Sequence, residues 1–210
     1  MSEILERLCE LADSLFARGY AFGSTGNLSV REGDQVWVTP TGQPLRGLRP
    51  DQLAAMDLEG RALNDARPSK EYPFHLGAYR NHGDGCQAIV HLHSTYTVAL
   101  SCLAEIDPER PLPRITPYYF MRVAPMAIVP YYRPGSAELG EAVGEAARAH
   151  KTLLLRNHGS ICLGGSLSEA ADRAEELEET AKLHFILRGE TLRELTRDEV
   201  ADIRRAFPGR

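Results

Sequence analysis

"VHLHS", Val90 to Ser94, runs an apolar stretch into two histidines spaced two apart. On a strand, side chains alternate between faces, so His91 and His93 point one way and Val90 and Leu92 the other. Two imidazoles on one face, with Cβ atoms about 7 Å apart, can grip one ion from two sides. A catalytic zinc takes three protein ligands and keeps a fourth position open. Among the other histidines His158 is the best third ligand. It lies in "RNHGS", just past a predicted strand over Thr152 to Arg156, where the glycine makes room. The pair alone is also the pattern of two core histidines that merely hydrogen-bond, and spacing does not separate these readings. His184 falls on the apolar side of a helix and reads as packing. His75, His82 and His150 fall on helices or helix ends and are expected near solvent.

Working outward, Gln87 to His93 reads as a strand, and Ser94 as the cap of a helix over Thr95 to Leu103. Upstream, Ile4, Leu8, Leu11 and Leu15 make one helical stripe over residues 3–18, with Gly19 as its stop. Leu28 to Val30 and Gln35 to Thr39 read as strands around the Glu32-Gly33-Asp34 turn, and Leu53 to Leu58 as another. The spacing predicts a helix from Lys70 to Asn81, with Pro73 in its first turn. Downstream come a strand over Met126 to Val129, a helix over Gly135 to His150, and strands over Thr152 to Arg156 and Ser160 to Leu163. Ser166 and Glu169 fit a capping box for a long helix ending near Gly189, and Thr196 and Glu199 repeat the box for a last one. Residues 107–125, rich in proline and aromatics, yield no assignment. Several strands follow one another directly, which is not a βαβ series. The expectation is an α/β fold: one domain over residues 1–210, with a central, mostly antiparallel sheet flanked by helices.

The composition sets bounds. An apolar fraction of 43 % and a charged fraction of 25 % are ordinary for a globular chain. The net charge is -5, and no block of lysine and arginine offers a nucleic-acid surface. The apolar runs are too short to span a bilayer. The N-terminus has no positive-then-apolar signal pattern. The four scattered cysteines, Cys9, Cys86, Cys102 and Cys162, sit among apolar neighbours and read as buried thiols in a reducing cytoplasm. Three loops, "GSTGNLSV" from Gly23, "TPTG" from Thr39 and "PSKE" from Pro68, are small and polar. Backbone N–H groups in such loops can cradle phosphate, though turns are built of the same residues anyway.

Together, "GNLS" at Gly26, "TPTG" at Thr39, "PSKE" at Pro68, "HLHS" at His91 and "NHG" at Asn157 resemble, in order and spacing, the class II aldolase/adducin family. That family includes fuculose- and rhamnulose-phosphate aldolases and ribulose-phosphate 4-epimerases. The resemblance implies zinc on His91, His93 and His158, with manganese or cobalt as substitutes. It implies Glu71 as the catalytic acid/base, and phosphate held at Gly26, Asn27, Thr41, Gly42 and Ser69. It also implies a homotetramer with active sites at subunit interfaces. Within the family, "SKE", "HLHSTYTVALSCL", "TPYYFMRV", "VPYYRPG" and "AEELEETAKLHFILRG" look like the 3-oxo-tetronate 4-phosphate decarboxylases. Those enzymes release carbon dioxide and dihydroxyacetone phosphate from a small phosphorylated sugar acid through a metal-stabilised enediolate. In this reading Lys70 meets the substrate's carboxylate or its phosphate, and Tyr118 and Tyr119 either reach a site across an interface or pack it, with Tyr119 as the catalytic candidate. The similar sugar aldolases use a C-terminal tyrosine, and this chain has none after Tyr132. Aldolase or epimerase activity is the alternative, and a non-catalytic adducin-like interaction module a remote one, because such modules lack the metal histidines.

Overall fold

The structure is a computed structural model and describes residues 3–207. Its centre is a seven-stranded sheet: β1 (Asn27–Glu32), β2 (Gln35–Val38), β3 (Ala54–Asp57), β4 (Ala88–Leu92), β5 (Met126–Val129), β6 (Thr152–Leu155) and β7 (Gly159–Gly164). The spatial order is β3-β2-β1-β4-β7-β6-β5. Every neighbouring pair is antiparallel except β5 and β6. The expected mostly antiparallel sheet between helices is therefore the fold.

Strand alternation builds two apolar layers. Leu28, Val30, Val90 and Leu92 face one way, onto α1 (Glu3–Ala17), α3 (Thr95–Ser101) and α5 (Leu167–Ile186). Val36, Val38, Ile89, Ile161 and Leu163 face the other way, onto α2 (Tyr72–His82) and α4 (Ala137–Ala147). A last helix, α6 (Arg197–Ala206), packs against a π-helical turn at Tyr119–Val123 inside the stretch that resisted assignment.

Element ends differ from the sequence reading for local reasons. Helix α2 starts at Tyr72, because Tyr72 N–H bonds Ser69 O in a turn that keeps residues 69–71 outside it. Helix α4 starts after Ser136, whose hydroxyl accepts from Leu139 N–H. Ser94 does stand at the N-cap of α3, yet its side chain makes no cap bond. The Glu178 carboxylate, arriving from α5, takes Tyr96 N–H and Thr97 N–H at 2.9 and 2.8 Å instead. Half of the first expected capping box forms. Ser166 accepts from Glu169 N–H, but the Glu169 carboxylate turns to Gly165 N–H. The box of Thr196 and Glu199 is complete. All four cysteines are free, and Cys102 is exposed rather than buried, since it sits just past the end of α3. No helix among the described residues is long and apolar enough to cross a membrane.

Candidate metal centre and its pocket

Strand β4 carries His91 at the edge of the layer facing α2, and His93 follows the last strand residue. His158 arrives from the turn between β6 and β7. Asn157 there adopts φ 54, a left-handed conformation that asparagine tolerates, and folds the chain back sharply. Gly159 completes the approach, because a Cβ there would lie 2.3 Å from the Leu92 carbonyl oxygen. Glu71 comes from the opposite side as the N-cap of α2. The ligand atoms of Glu71, His91, His93 and His158 all lie within 4.8 Å of one another.

The hydrogen bonds around the cluster set its charge. His91 Nδ1 lies 2.8 Å from Ser160 O, a carbonyl that can only accept, so the ring proton sits on Nδ1 and Nε2 is a bare lone pair. That lone pair faces His93 Nε2 at 2.9 Å and Glu71 Oε2 at 3.3 Å. Burial pushes the His93 imidazole down to about 3, and His91 and His158 add to the effect. Burial also lowers His158 against the pull of Glu71. For Glu71 burial acts to raise the pKa, but the imidazoles of His91 and His158 beside it outweigh that, and the carboxyl stays well below the usual range. The result is a carboxylate among imidazoles whose lone pairs converge.

Whether a divalent cation fits can be judged from unmet needs. Glu71 Oε1 and His158 Nε2 are both buried without a hydrogen-bond partner, although they approach to 3.2 Å. They are close enough for an ion pair and are not aligned for a hydrogen bond. Buried polar atoms left in this way are costly. A proton on His93 satisfies one contact of the cluster, whereas a cation at its centre would take the lone pairs of His91, His93 and His158 together and neutralise the carboxylate beside them. The site is suited to a divalent metal ion.

The cluster forms one wall of a pocket of ≈ 830 Å³. All three polar loops reach its rim through Gly26, Thr41, Gly42, Ser69 and Lys70. At Gly26 φ is 79, and a Cβ would come 3.0 Å from the His91 carbonyl oxygen. The turn can therefore lie directly against β4. Lys70 is exposed, whereas Ser69 is buried and accepts from Glu71 N–H at 3.3 Å. Asn27 lines the pocket, but its side chain is largely committed, donating to Glu71 Oε2 at 2.8 Å and accepting from His75.

One expectation, that for His75, needs correction, and the two tyrosines can be placed within their own chain. Tyr119 is 4 % exposed, and burial pushes its hydroxyl up to about 12. It lines a separate groove with Phe120, Met126 and Arg204, because the π-helical turn rotates it inward, and its own chain does not bring it to the metal pocket. Its neighbour Tyr118 is 54 % exposed. His75, expected near solvent, is fully buried against Asn27 and Ser29. The sequence carries a sign of this in its spacing: His75 lies four residues after Glu71 and so shares its side of the helix.

Known proteins share this architecture. The crystal structure of YgbL from Klebsiella pneumoniae superposes with a TM-score of 0.92 at 44 % identity, covering 96 % of this chain and 98 % of that one. The 3-oxo-tetronate 4-phosphate decarboxylase of Haemophilus influenzae is 49 % identical over 94 % of each chain. Its counterpart in Escherichia coli K12 is 46 % identical over 95 % of this chain and 94 % of its own. The L-fuculose phosphate aldolase of Methanococcus maripaludis (strain S2 / LL) is 37 % identical over 86 % of this chain and 94 % of its own. Residues 6–185 match the Class II Aldolase and Adducin N-terminal domain. The histidine–glutamate cluster, the antiparallel sheet and these relatives agree, and the chain belongs to the class II aldolase/adducin family.

Proposed function

We propose that this chain is a metal-dependent carbon–carbon lyase that converts 3-oxo-tetronate 4-phosphate to dihydroxyacetone phosphate and carbon dioxide. The observation that carries the reading is the convergence of Glu71, His91, His93 and His158 at the wall of a loop-rimmed pocket roomy enough for a small phosphorylated acid. Near full-length identity of 46–49 % to decarboxylases, against 37 % to an aldolase, supports the substrate. Lys70 supports it too, since a substrate with both a phosphate and a carboxylate needs more positive charge than a neutral-ended sugar phosphate.

His91, His93 and His158 hold the cation, and a set of three imidazoles suits zinc, with manganese or cobalt as substitutes. When bound, the cation supplies Lewis-acid stabilisation of the charge that gathers on the ketone oxygen as carbon dioxide leaves. The protein's own groups do the rest. The loops at Gly26, Thr41, Gly42 and Ser69 hold the phosphate with backbone N–H groups and hydroxyls, and Asn27 borders them. Lys70, at the rim, meets the carboxylate loosely enough to let it go, as a flexible point charge does better than a bidentate arginine. The bond between the carboxyl carbon and its neighbour breaks, and its electrons move toward the ketone. The carbon that bore the carboxylate then needs a proton. Glu71, a carboxylate at rest, takes up from bulk solvent the one proton that the reaction consumes and delivers it from Oε1, its unpartnered oxygen.

We place the whole chain, residues 1–210, in one domain acting in a reducing cytoplasm as a homotetramer. Tyr118, rather than Tyr119, has an exposed ring to offer a neighbouring subunit. The test is a side-by-side assay of 3-oxo-tetronate 4-phosphate, fuculose 1-phosphate, rhamnulose 1-phosphate and ribulose 5-phosphate. Decarboxylation is expected to have the largest kcat/KM, and a larger value on any of the other three contradicts the assignment. Glu71→Gln should lower kcat by about 10²–10⁴-fold. Lys70→Ser should lose more kcat/KM on the acid substrate than on the sugar phosphates.

A further inference from the structure

Behind Glu71 lies a buried ladder of side chains that the proposed chemistry does not use. Glu71, His75 and Tyr79 are spaced four apart along α2, a rise of about 6 Å per step. Asn27 and Ser29 are two apart on β1, a rise of about 6.7 Å. The two repeats stay in step, and side chains from helix and strand interleave. Tyr79 Oη lies 2.8 Å from Ser29 Oγ, and Ser29 Oγ lies 2.7 Å from His75 Nδ1. His75 Nε2 lies 2.5 Å from Asn27 Oδ1, and Asn27 Nδ2 lies 2.8 Å from Glu71 Oε2. All five residues are buried.

The direction of each bond follows from the carboxylate end. Glu71 Oε2 accepts, so Asn27 turns its NH₂ toward it and its carbonyl toward His75. The carbonyl can only accept, so His75 carries a proton on Nε2. Burial pushes the His75 imidazole down to about 3, so the ring is neutral and Nδ1 is a bare acceptor. Ser29 then donates to Nδ1, and Tyr79 donates to Ser29. No member can be reversed without setting two acceptors or two donors face to face, and an unmatched buried polar group is costly.

The ladder makes the two oxygens of Glu71 unequal. Oε2 is held by Asn27, while Oε1 has no hydrogen-bond partner and faces His158. We propose that His75 is a positioning residue: by locking the amide of Asn27 it fixes Oε2 and leaves Oε1 as the oxygen that carries the proton. This inference rests on reading Glu71 as the proton carrier, and its test separates the two.

Two amide variants divide the contacts of His75. Glutamine reaches the place of Nε2 and keeps a donor for Asn27. Asparagine reaches only the place of Nδ1 and leaves the Asn27 carbonyl unmatched. His75→Gln is expected to keep kcat within about 3-fold of the parent, and His75→Asn to lose about 10-fold or more in kcat with KM and bound metal unchanged. Equal kcat in the two variants, or a loss confined to KM, overturns the proposal. If Glu71→Gln stays inactive while both His75 variants match the parent, the ladder is irrelevant and the reading of Glu71 stands. An active Glu71→Gln removes that reading itself. A measurement on the unaltered protein guards against misfolded variants. Long-range ¹⁵N–¹H spectra of the metal-loaded enzyme should show His75 as the Nε2–H tautomer, unchanged over roughly pH 5–8. An Nδ1–H tautomer or an imidazolium at His75 overturns the proposal.

Discussion

Strands β1 and β4 have two faces that are equally buried and opposite in character. Toward α1, α3 and α5 they present Leu28, Val30, Val90 and Leu92. Toward α2, offset by one residue, they present Asn27, Ser29 and His91, which are also buried, with Ile89 as the apolar residue among them. Burial does not separate the faces; the demands they make do. The apolar face asks only for volume, so similar-sized residues can replace one another there. The polar face is a directed network in which each group needs one particular partner. Stability comes mainly from the first face, and the chemistry is held by the second.

Neighbouring residues on one strand allow that contrast to be broken. Leu28→Ala should cost about 2–5 kcal/mol in a denaturant melt, because it leaves a cavity against α1. Its kcat per folded molecule should be unchanged. Ser29→Ala should cost less, about 1–3 kcal/mol, by leaving His75 Nδ1 without its donor, yet it should lower kcat. If the stability losses are reversed, or if Leu28→Ala damages turnover, the division between the faces is wrong.

A smaller effect sharpens the comparison through pH. His75 has a folded pKa of about 3 against an ordinary value of 6.5. Above pH 6.5 neither state binds the proton, so this residue contributes no pH dependence. As pH falls from 6.5 toward 3, the unfolded chain takes up a proton that the folded ring refuses. Stability therefore falls, by up to about 1.4 kcal/mol per pH unit from this residue alone. His75→Gln removes that contribution. Its stability relative to the parent should improve steadily as pH drops from 6.5, checked by urea melts at several pH values. A constant gap means that His75 is not held neutral.

The sequence makes visible what local pattern determines. Alternation in "VHLHS" reveals the two faces of β4, and "NHG" marks a turn tight enough to deliver His158. Direct strand-to-strand succession reveals the antiparallel sheet. Features set by distant partners were hidden. Glu178 caps α3 from 82 residues away, doing the work expected of Ser94. The inward rotation of Tyr119 depends on a π-helical turn that no simple period describes. His75 looked like a solvent-facing helix residue because its partners, Asn27 and Ser29, lie on a strand almost fifty positions away. Only the match between a period of four on α2 and a period of two on β1 brings them together.

The central claim is that the polar face ends in a cation site built by His91, His93 and His158. Elemental analysis of the protein purified without added metal tests it most directly. About one divalent ion per chain, zinc in the first place, is expected in the parent, with most of it lost in a folded His93→Ala variant. Full occupancy in that variant, or a parent that neither carries nor takes up a divalent ion, contradicts the account.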